Sequence, residues 1–105
     1  MIRVTVLYPK SADSQFNWDY YLNSHTPMVQ ERLGPLGMSR IEVDRGVGTL
    51  APGQPPAFEA IAYLVFNAVE DLQKGLAAHG AEILGDIANY TNIQPQIQIN
   101  QIAVG

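Results

Sequence analysis

Cysteine is absent from this chain of 105 residues, so disulfide bonds, thiolate nucleophiles and thiolate metal ligands are excluded. Basic residues are scarce too: six lysines and arginines stand against ten aspartates and glutamates, and they form no cluster. Without a basic patch that could follow a phosphate backbone, we expect no nucleic-acid partner. Charged residues make up only 15% of the chain, against about 25% in an ordinary soluble domain. Much of the surface must therefore be neutral or covered by self-association.

A long hydrophobic segment is also missing. No apolar run approaches the roughly 20 residues that cross a bilayer. Met1 is followed directly by IRVTVLYP, without the basic start, apolar core and cleavage site of a signal peptide. We therefore expect a cytoplasmic protein with no membrane partner. The length predicts one domain, residues 1–105, which buries roughly two-thirds of the surface of the unfolded chain.

Alternating apolar and polar residues predict four strands. The third is apolar on both faces, which is typical of a central strand with no wet side. The four predicted segments are Ile2–Tyr8, Met38–Val47, Phe58–Phe66 and the part of Tyr90–Val104 in which isoleucines alternate with polar residues.

Helical segments separate the first strand from the second and the third from the fourth. Asn17 is a good N-cap for the first helix. Pro27 has no N–H to donate, so we expect this helix to bend or loosen around His25. Asn67 is the predicted cap of the second helix, and Gly80 is expected to interrupt it.

The order β-α-β-β-α-β predicts a ferredoxin-like α+β fold, an antiparallel sheet with both helices on one face. The first and third strands are expected to present apolar side chains to the other face, which a lone domain of this size cannot leave in water. We therefore predict a homodimer in which two antiparallel sheets pack face to face.

His25 is the strongest candidate for acid–base chemistry. It lies on the predicted apolar face of the first helix, whereas Thr26 lies on the face that stays in water. An imidazole changes charge near neutral pH, and Tyr21, one turn earlier, can polarise the same ligand group. Alternatively, His25 is a structural residue whose ring is hydrogen-bonded by a backbone carbonyl or by a carboxylate such as Asp86. The full apolar face is Trp18, Tyr21, Leu22, His25, Met28 and Val29.

Other residues are candidates for binding a small apolar or aromatic ligand. Trp18 and Tyr63 could line an aromatic pocket, although aromatic side chains at these spacings also occur in ordinary cores. Arg45 continues the inward face of the second strand and could meet an anionic group, or could simply reach solvent. No metal site is expected, because the two histidines lie on different elements without an acidic ligand at a recognisable spacing.

Four segments, VLYP, FNWDYYLNSHTPMV, AYLVF and GDIANYTNIQPQIQI, together resemble the EthD family, named for ethyl tert-butyl ether degradation. The resemblance extends over nearly the whole chain, and its most specific part is the spacing of Tyr20, Tyr21, His25 and Pro27. It implies the dimeric α+β barrel fold. It also places the family's histidine on His25, its neighbouring tyrosine on Tyr21 and an acidic residue on Asp86.

The resemblance implies no single reaction. Relatives on this barrel include cofactor-free monooxygenases, polyketide cyclases, muconolactone isomerases and haem-degrading enzymes. Our hypothesis is a cofactor-free enzyme in which His25 moves a proton at a carbon acidified by a carbonyl or lactone, while Tyr21 hydrogen-bonds the oxyanion. The alternative is a non-catalytic accessory or small-molecule binding protein of a degradation or biosynthesis pathway. Haem binding is a third hypothesis, but no residue indicates an axial ligand.

Overall fold

Four strands and two helices follow one another in the order β-α-β-β-α-β in a computed structural model that describes all 105 residues. The strands pair antiparallel in one sheet of order β2-β3-β1-β4. This arrangement confirms the predicted ferredoxin-like α+β fold. The strands are β1 (Ile2–Pro9), β2 (Met38–Arg45), β3 (Phe58–Phe66) and β4 (Gln96–Gln101).

The first helix, α1, contains a π-helical turn between two α-helical segments, and the second helix, α2, is regular. Neither helix combines the length and hydropathy that a bilayer crossing requires. The segments of α1 are Trp18–Tyr20, the π-turn Tyr21–His25 and Thr26–Leu33, and α2 is Val69–Gly85.

The two faces of the sheet differ in their surroundings. Val4 and its neighbours at even positions of β1 pack with α1 and α2 in the core, around the buried Phe66 and Leu33. The odd positions, Arg3, Thr5 and Leu7, point to the opposite face. Leu7 is the one apolar side chain that β1 presents there, because the alternation turns its other large apolar side chains towards the helices.

The π-turn lies where the sequence predicts an irregularity. The N–H of Thr26 donates to the carbonyl of Tyr21, five residues earlier instead of four. Pro27, the next residue, cannot donate an N–H, which weakens the regular α-helical pattern at this point. The predicted loosening around His25 is therefore confirmed.

The extra residue in the π-turn also rotates the side chains around α1. Leu22, predicted to face inward, is 49% exposed. Thr26, predicted to face water, has a buried hydroxyl without a hydrogen-bond partner. Both predictions are wrong because they assumed regular α-helical spacing throughout.

Helix α2 corrects two further predictions. It continues through Gly80, because a glycine weakens a helix by only about 1 kcal/mol relative to alanine and does not end it. The N-cap is Ala68, with an extended backbone and no capping side chain, and not Asn67. The chain thus stays extended one residue beyond the predicted helix start.

Two glycines of α2 give opposite predictions. At Gly80 a Cβ would lie 3.7 Å from Leu76, an ordinary contact, so Gly80→Ala should raise the free energy of unfolding by roughly 0.5–1 kcal/mol. At Gly75 a Cβ would lie 2.9 Å from the buried side chain of Leu33. Overpacking costs about 1–3 kcal/mol, so Gly75→Ala should be less stable than the parent. Urea denaturation of both variants measures these changes, and equal effects would contradict the packing described for α2.

Candidate functional site

His25 lies at the end of the π-turn and is only 6% exposed. Its Nδ1 atom is 2.8 Å from Oδ2 of Asp86, the residue that ends α2. The other carboxylate oxygen of Asp86 accepts hydrogen bonds from the Tyr20 hydroxyl, at 2.6 Å, and from the Asn89 side-chain amide, at 2.8 Å. Asp86 therefore joins the first helix to the segment that follows the second.

The hydrogen bonds of Asp86 determine its charge. Burial by itself would raise the pKa of this carboxyl, but hydrogen bonds from Tyr20, Asn89 and His25 outweigh burial and lower the pKa from its usual value of 3.8. The ionised carboxylate can only accept hydrogen bonds. In the neutral imidazole, Nδ1 of His25 must then carry the hydrogen, which leaves Nε2 free to accept a proton.

Two tyrosines, Tyr21 and Tyr90, pack against the imidazole, and a third, Tyr8, is hydrogen-bonded to Tyr90. The Tyr90 hydroxyl is 3.5 Å from Nε2 of His25 and 2.7 Å from the Tyr8 hydroxyl. The Tyr21 ring lies nearly parallel to the imidazole, with an interplanar angle of 15°. Burial is the main cause that raises the pKa of each of these tyrosines. All three hydroxyls therefore keep their protons at neutral pH and can donate hydrogen bonds.

A small cavity of about 50 Å³, the histidine pocket, lies between the helices and the sheet. Every residue that lines it is hydrophobic except His25, and both Tyr8 and Tyr21 contribute to its wall. Electrostatic interactions strengthen in such apolar surroundings. The pocket can therefore place a polar ligand group beside the imidazole with little competition from water.

The structure brings three of the six predicted site residues together. His25 and Tyr21 line the histidine pocket, and Asp86 lies behind the imidazole as its hydrogen-bond partner. Asp86 is therefore placed as the structural alternative for His25 predicts. The same position also suits a residue that orients a base.

The other three predicted site residues do not line the histidine pocket. The Trp18 indole N–H donates to Glu59 at 3.1 Å, and the Arg45 guanidinium lies 5.0 Å from the Trp18 ring. Tyr63 lies on the opposite face of the sheet, where the guanidinium of Arg3 is 5.6 Å from its ring. These contacts within the chain explain the side-chain positions of Trp18, Arg45 and Tyr63, and no shared ligand is needed to explain them.

Sequence patterns did not indicate Tyr8 or Tyr90 as part of the site. Tyr90 lies between α2 and β4 in a segment without periodicity, so its inward direction has no signal in the sequence. Tyr8 does have one, because it continues the inward alternation of Val4 and Val6 on β1. No group of three or more histidine, aspartate and glutamate side chains is placed to hold a metal ion.

The fold and the histidine pocket define a ferredoxin-like α+β protein with a histidine–carboxylate pair beside an apolar cavity. The family model of the EthD domain matches residues 10–94, and the chain belongs to the EthD family. No curated protein matches the chain.

Several solved structures are similar to this chain. An EthD-like protein from Ralstonia eutropha JMP134 is 42% identical, with a TM-score of 0.91 over 98% of this chain and 92% of that one. An EthD family protein from Bacillus halodurans C-125 shares 19% identity and a TM-score of 0.65, covering 96% and 97% of the two chains. A dimeric ferredoxin-like protein from an uncultured marine organism has 11% identity and a TM-score of 0.62, covering 100% and 97%. At such identities the last two show a shared fold.

The charge of Asp86 should appear in the pH dependence of stability. Its pKa is lowered in the folded state, so its stabilising effect is present above the ordinary pKa of 3.8 and is lost as the pH falls through the folded pKa. Asp86→Asn should lower the free energy of unfolding at neutral pH by about 2 kcal/mol, because hydrogen bonds to a charged acceptor are lost. The difference from the parent should shrink below about pH 4.

Denaturant titrations between neutral and acidic pH measure this difference. The matched control is Asp13→Asn, since Asp13 is an exposed loop aspartate. A stability difference for Asp86→Asn that stays constant into acid would show that the carboxylate has no such role.

Proposed function

We propose that this protein is a cofactor-free enzyme that moves a proton on a small, largely apolar carbonyl, lactone or phenolic compound. The observation that carries this proposal is the 2.8 Å contact between Nδ1 of His25 and Asp86, which leaves Nε2 as the unprotonated nitrogen of an imidazole that lines the histidine pocket. A base held in one tautomer by a carboxylate is the usual arrangement for proton transfer by histidine.

The proposed step begins with a carbonyl ligand whose acidic C–H meets Nε2 of His25. The proton moves to Nε2, and the electron pair of the broken C–H bond moves onto the carbonyl oxygen as an enolate. Asp86 stabilises the resulting imidazolium, while the protonated Tyr21 and Tyr8 in the pocket wall supply hydrogen bonds for the oxyanion. Where a C=C bond of the ligand is conjugated with the enolate, return of the proton to the far carbon of that bond gives an isomer. The same first step serves cyclisation or dehydration.

The second candidate function is non-catalytic binding of the same class of compound, as an accessory protein of a degradation or biosynthesis pathway. The observation that favours it is the Tyr90 hydroxyl, 3.5 Å from Nε2, which already gives this nitrogen a hydrogen-bond partner. In that case His25 would hydrogen-bond the ligand without taking its proton.

We also propose that the single domain, residues 1–105, acts as a cytoplasmic homodimer through the sheet face opposite the helices. Leu7 and Ile61 are register partners on that face, next to Tyr63. These side chains form an apolar centre between polar residues of the outer strands. The similar structure described as a dimeric ferredoxin-like protein supports the proposal.

Removal of His25 should separate the two functions. Proton exchange in D₂O, followed by NMR on a panel of lactones and cyclic ketones, detects proton abstraction whatever the final product is. If His25 is the base, His25→Ala should lose about 10²- to 10⁴-fold of the exchange rate. The control is His79→Ala, because His79 lies on α2 outside the histidine pocket. An unchanged rate in His25→Ala would remove this residue from the mechanism.

The dimer makes a separate prediction. Light scattering at micromolar concentration should give twice the chain mass of 11.5 kDa. Ile61→Lys should shift the mass to that of one chain, because a lysine would be buried at the centre of the interface. Leu50→Lys, in the exposed loop after β2, should leave the dimer intact. A single-chain mass for the unmodified protein rules the interface out.

A further inference from the structure

A second cavity, the apolar groove, opens beside the histidine pocket between α2 and the edge strand β4. Its volume is about 160 Å³, and all ten lining residues are hydrophobic. It shares half of its lining with the histidine pocket, so the two cavities are neighbours along one continuous apolar wall. The shared residues are Val6, Leu64, Ile83, Leu84 and Ile97.

The groove is open because β4 is the last strand of the sheet and α2 does not cover it. Leu84 on α2 is 52% exposed, and Ile97 and Ile99 on β4 are 51% and 54% exposed, although all three line the groove. These side chains lie on the helix side of the sheet, away from the face assigned above to the dimer. An apolar ligand that enters the groove would remove them from water, at about 25 cal/mol for each Å² covered.

The volumes of the two cavities fit the two parts of one ligand, a polar group in the smaller cavity and an apolar ring in the larger one. The histidine pocket, about 50 Å³, has about a third of the volume of a dry cavity of about 150 Å³ that binds benzene in another protein. It can admit an oxygen function and the carbon next to it, but no whole ring. The apolar groove, about 160 Å³, matches that benzene-binding cavity.

We infer that the substrate is a single six-membered ring that carries one oxygen function, a phenol or a cyclic ketone. The oxygen function and the ring carbon next to it enter the histidine pocket, so that the O–H of a phenol or the C–H beside the carbonyl of a cyclic ketone meets Nε2 of His25. The rest of the ring lies in the apolar groove between Leu84 and Ile97. These two residues line both cavities and determine the size of ring that reaches the imidazole. The inference rests on the proposed function and adds the substrate class to it.

Calorimetric titration with phenol and with 2-naphthol tests the inference. Leu84→Trp fills the groove from its exposed side, and Leu22→Trp is the matched control, because Leu22 is 49% exposed on α1 and lines neither cavity. Phenol should bind the parent and Leu22→Trp equally and Leu84→Trp at least tenfold more weakly. 2-Naphthol, with its second ring, should bind the parent more weakly than phenol does.

Toluene, which has the ring but lacks the oxygen, tests separately where the ring and the oxygen function bind. It should shift the NMR signals of the Ile97 methyl groups without shifting the imidazole signals of His25, whereas phenol should shift both. Equal binding of phenol to the two tryptophan variants overturns the inference, and so does a lack of binding by every probe. If Leu84→Trp instead turns a dimer into a single chain by light scattering, a second copy occupies the groove and the inference is wrong.

The outcomes also separate this inference from the proposed function. Groove-dependent binding with no proton exchange would keep the ligand class and end the catalytic proposal. Proton exchange that depends on His25 but is unaffected by Leu84→Trp would keep the catalytic proposal and end the assignment of the groove.

Discussion

The hydrogen bond between His25 and Asp86 is the interaction on which the organisation of this site depends. The two residues are 61 positions apart, one in the π-turn of α1 and the other at the end of α2. Their contact joins the two helices on the same side of the sheet. It also decides which imidazole nitrogen carries the hydrogen, and so which nitrogen can meet a ligand. Tyr20 and Asn89 keep the carboxylate ionised and in place.

The sheet and the helices surround His25 and Asp86 with apolar side chains, which strengthens the hydrogen bonds that this pair can form. Tyr21 and Tyr90 pack against the imidazole, Tyr8 is hydrogen-bonded to Tyr90, and burial keeps all three hydroxyls protonated. A hydrogen bond inside such a region is stronger than in water, and an unpaired polar group there is costly. A ligand that brings one oxygen function into the histidine pocket would form such a strong hydrogen bond and would leave no polar group there unpaired. The uncovered edge of β4 would let the ligand reach the pocket.

Much of the fold followed from the sequence, because strand alternation and helix caps are local signals. The bounds of β3, the cap at Asn17 and the irregularity before Pro27 were all predictable from neighbouring residues. Gly80 was misjudged because tertiary packing overrides a weak local preference. The inward positions of His25 and Tyr21 also followed from periodicity. That periodicity failed for Leu22 once the π-turn had rotated the helix. The contact of His25 with Asp86 was one of two alternatives, since no local pattern reports a pairing between distant segments.

The most direct test of the central claim is the tautomer of His25, read from the ¹⁵N chemical shifts and two-bond couplings of its imidazole. At about pH 8 an ordinary imidazole is neutral, and His79 provides an internal comparison. If Asp86 orients the ring as described, Nδ1 carries the hydrogen in the parent protein, Nε2 does not, and this preference is lost in Asp86→Asn. A ring protonated at Nε2 in the parent, or one unchanged in Asp86→Asn, would contradict the claim that Asp86 prepares His25 as a base.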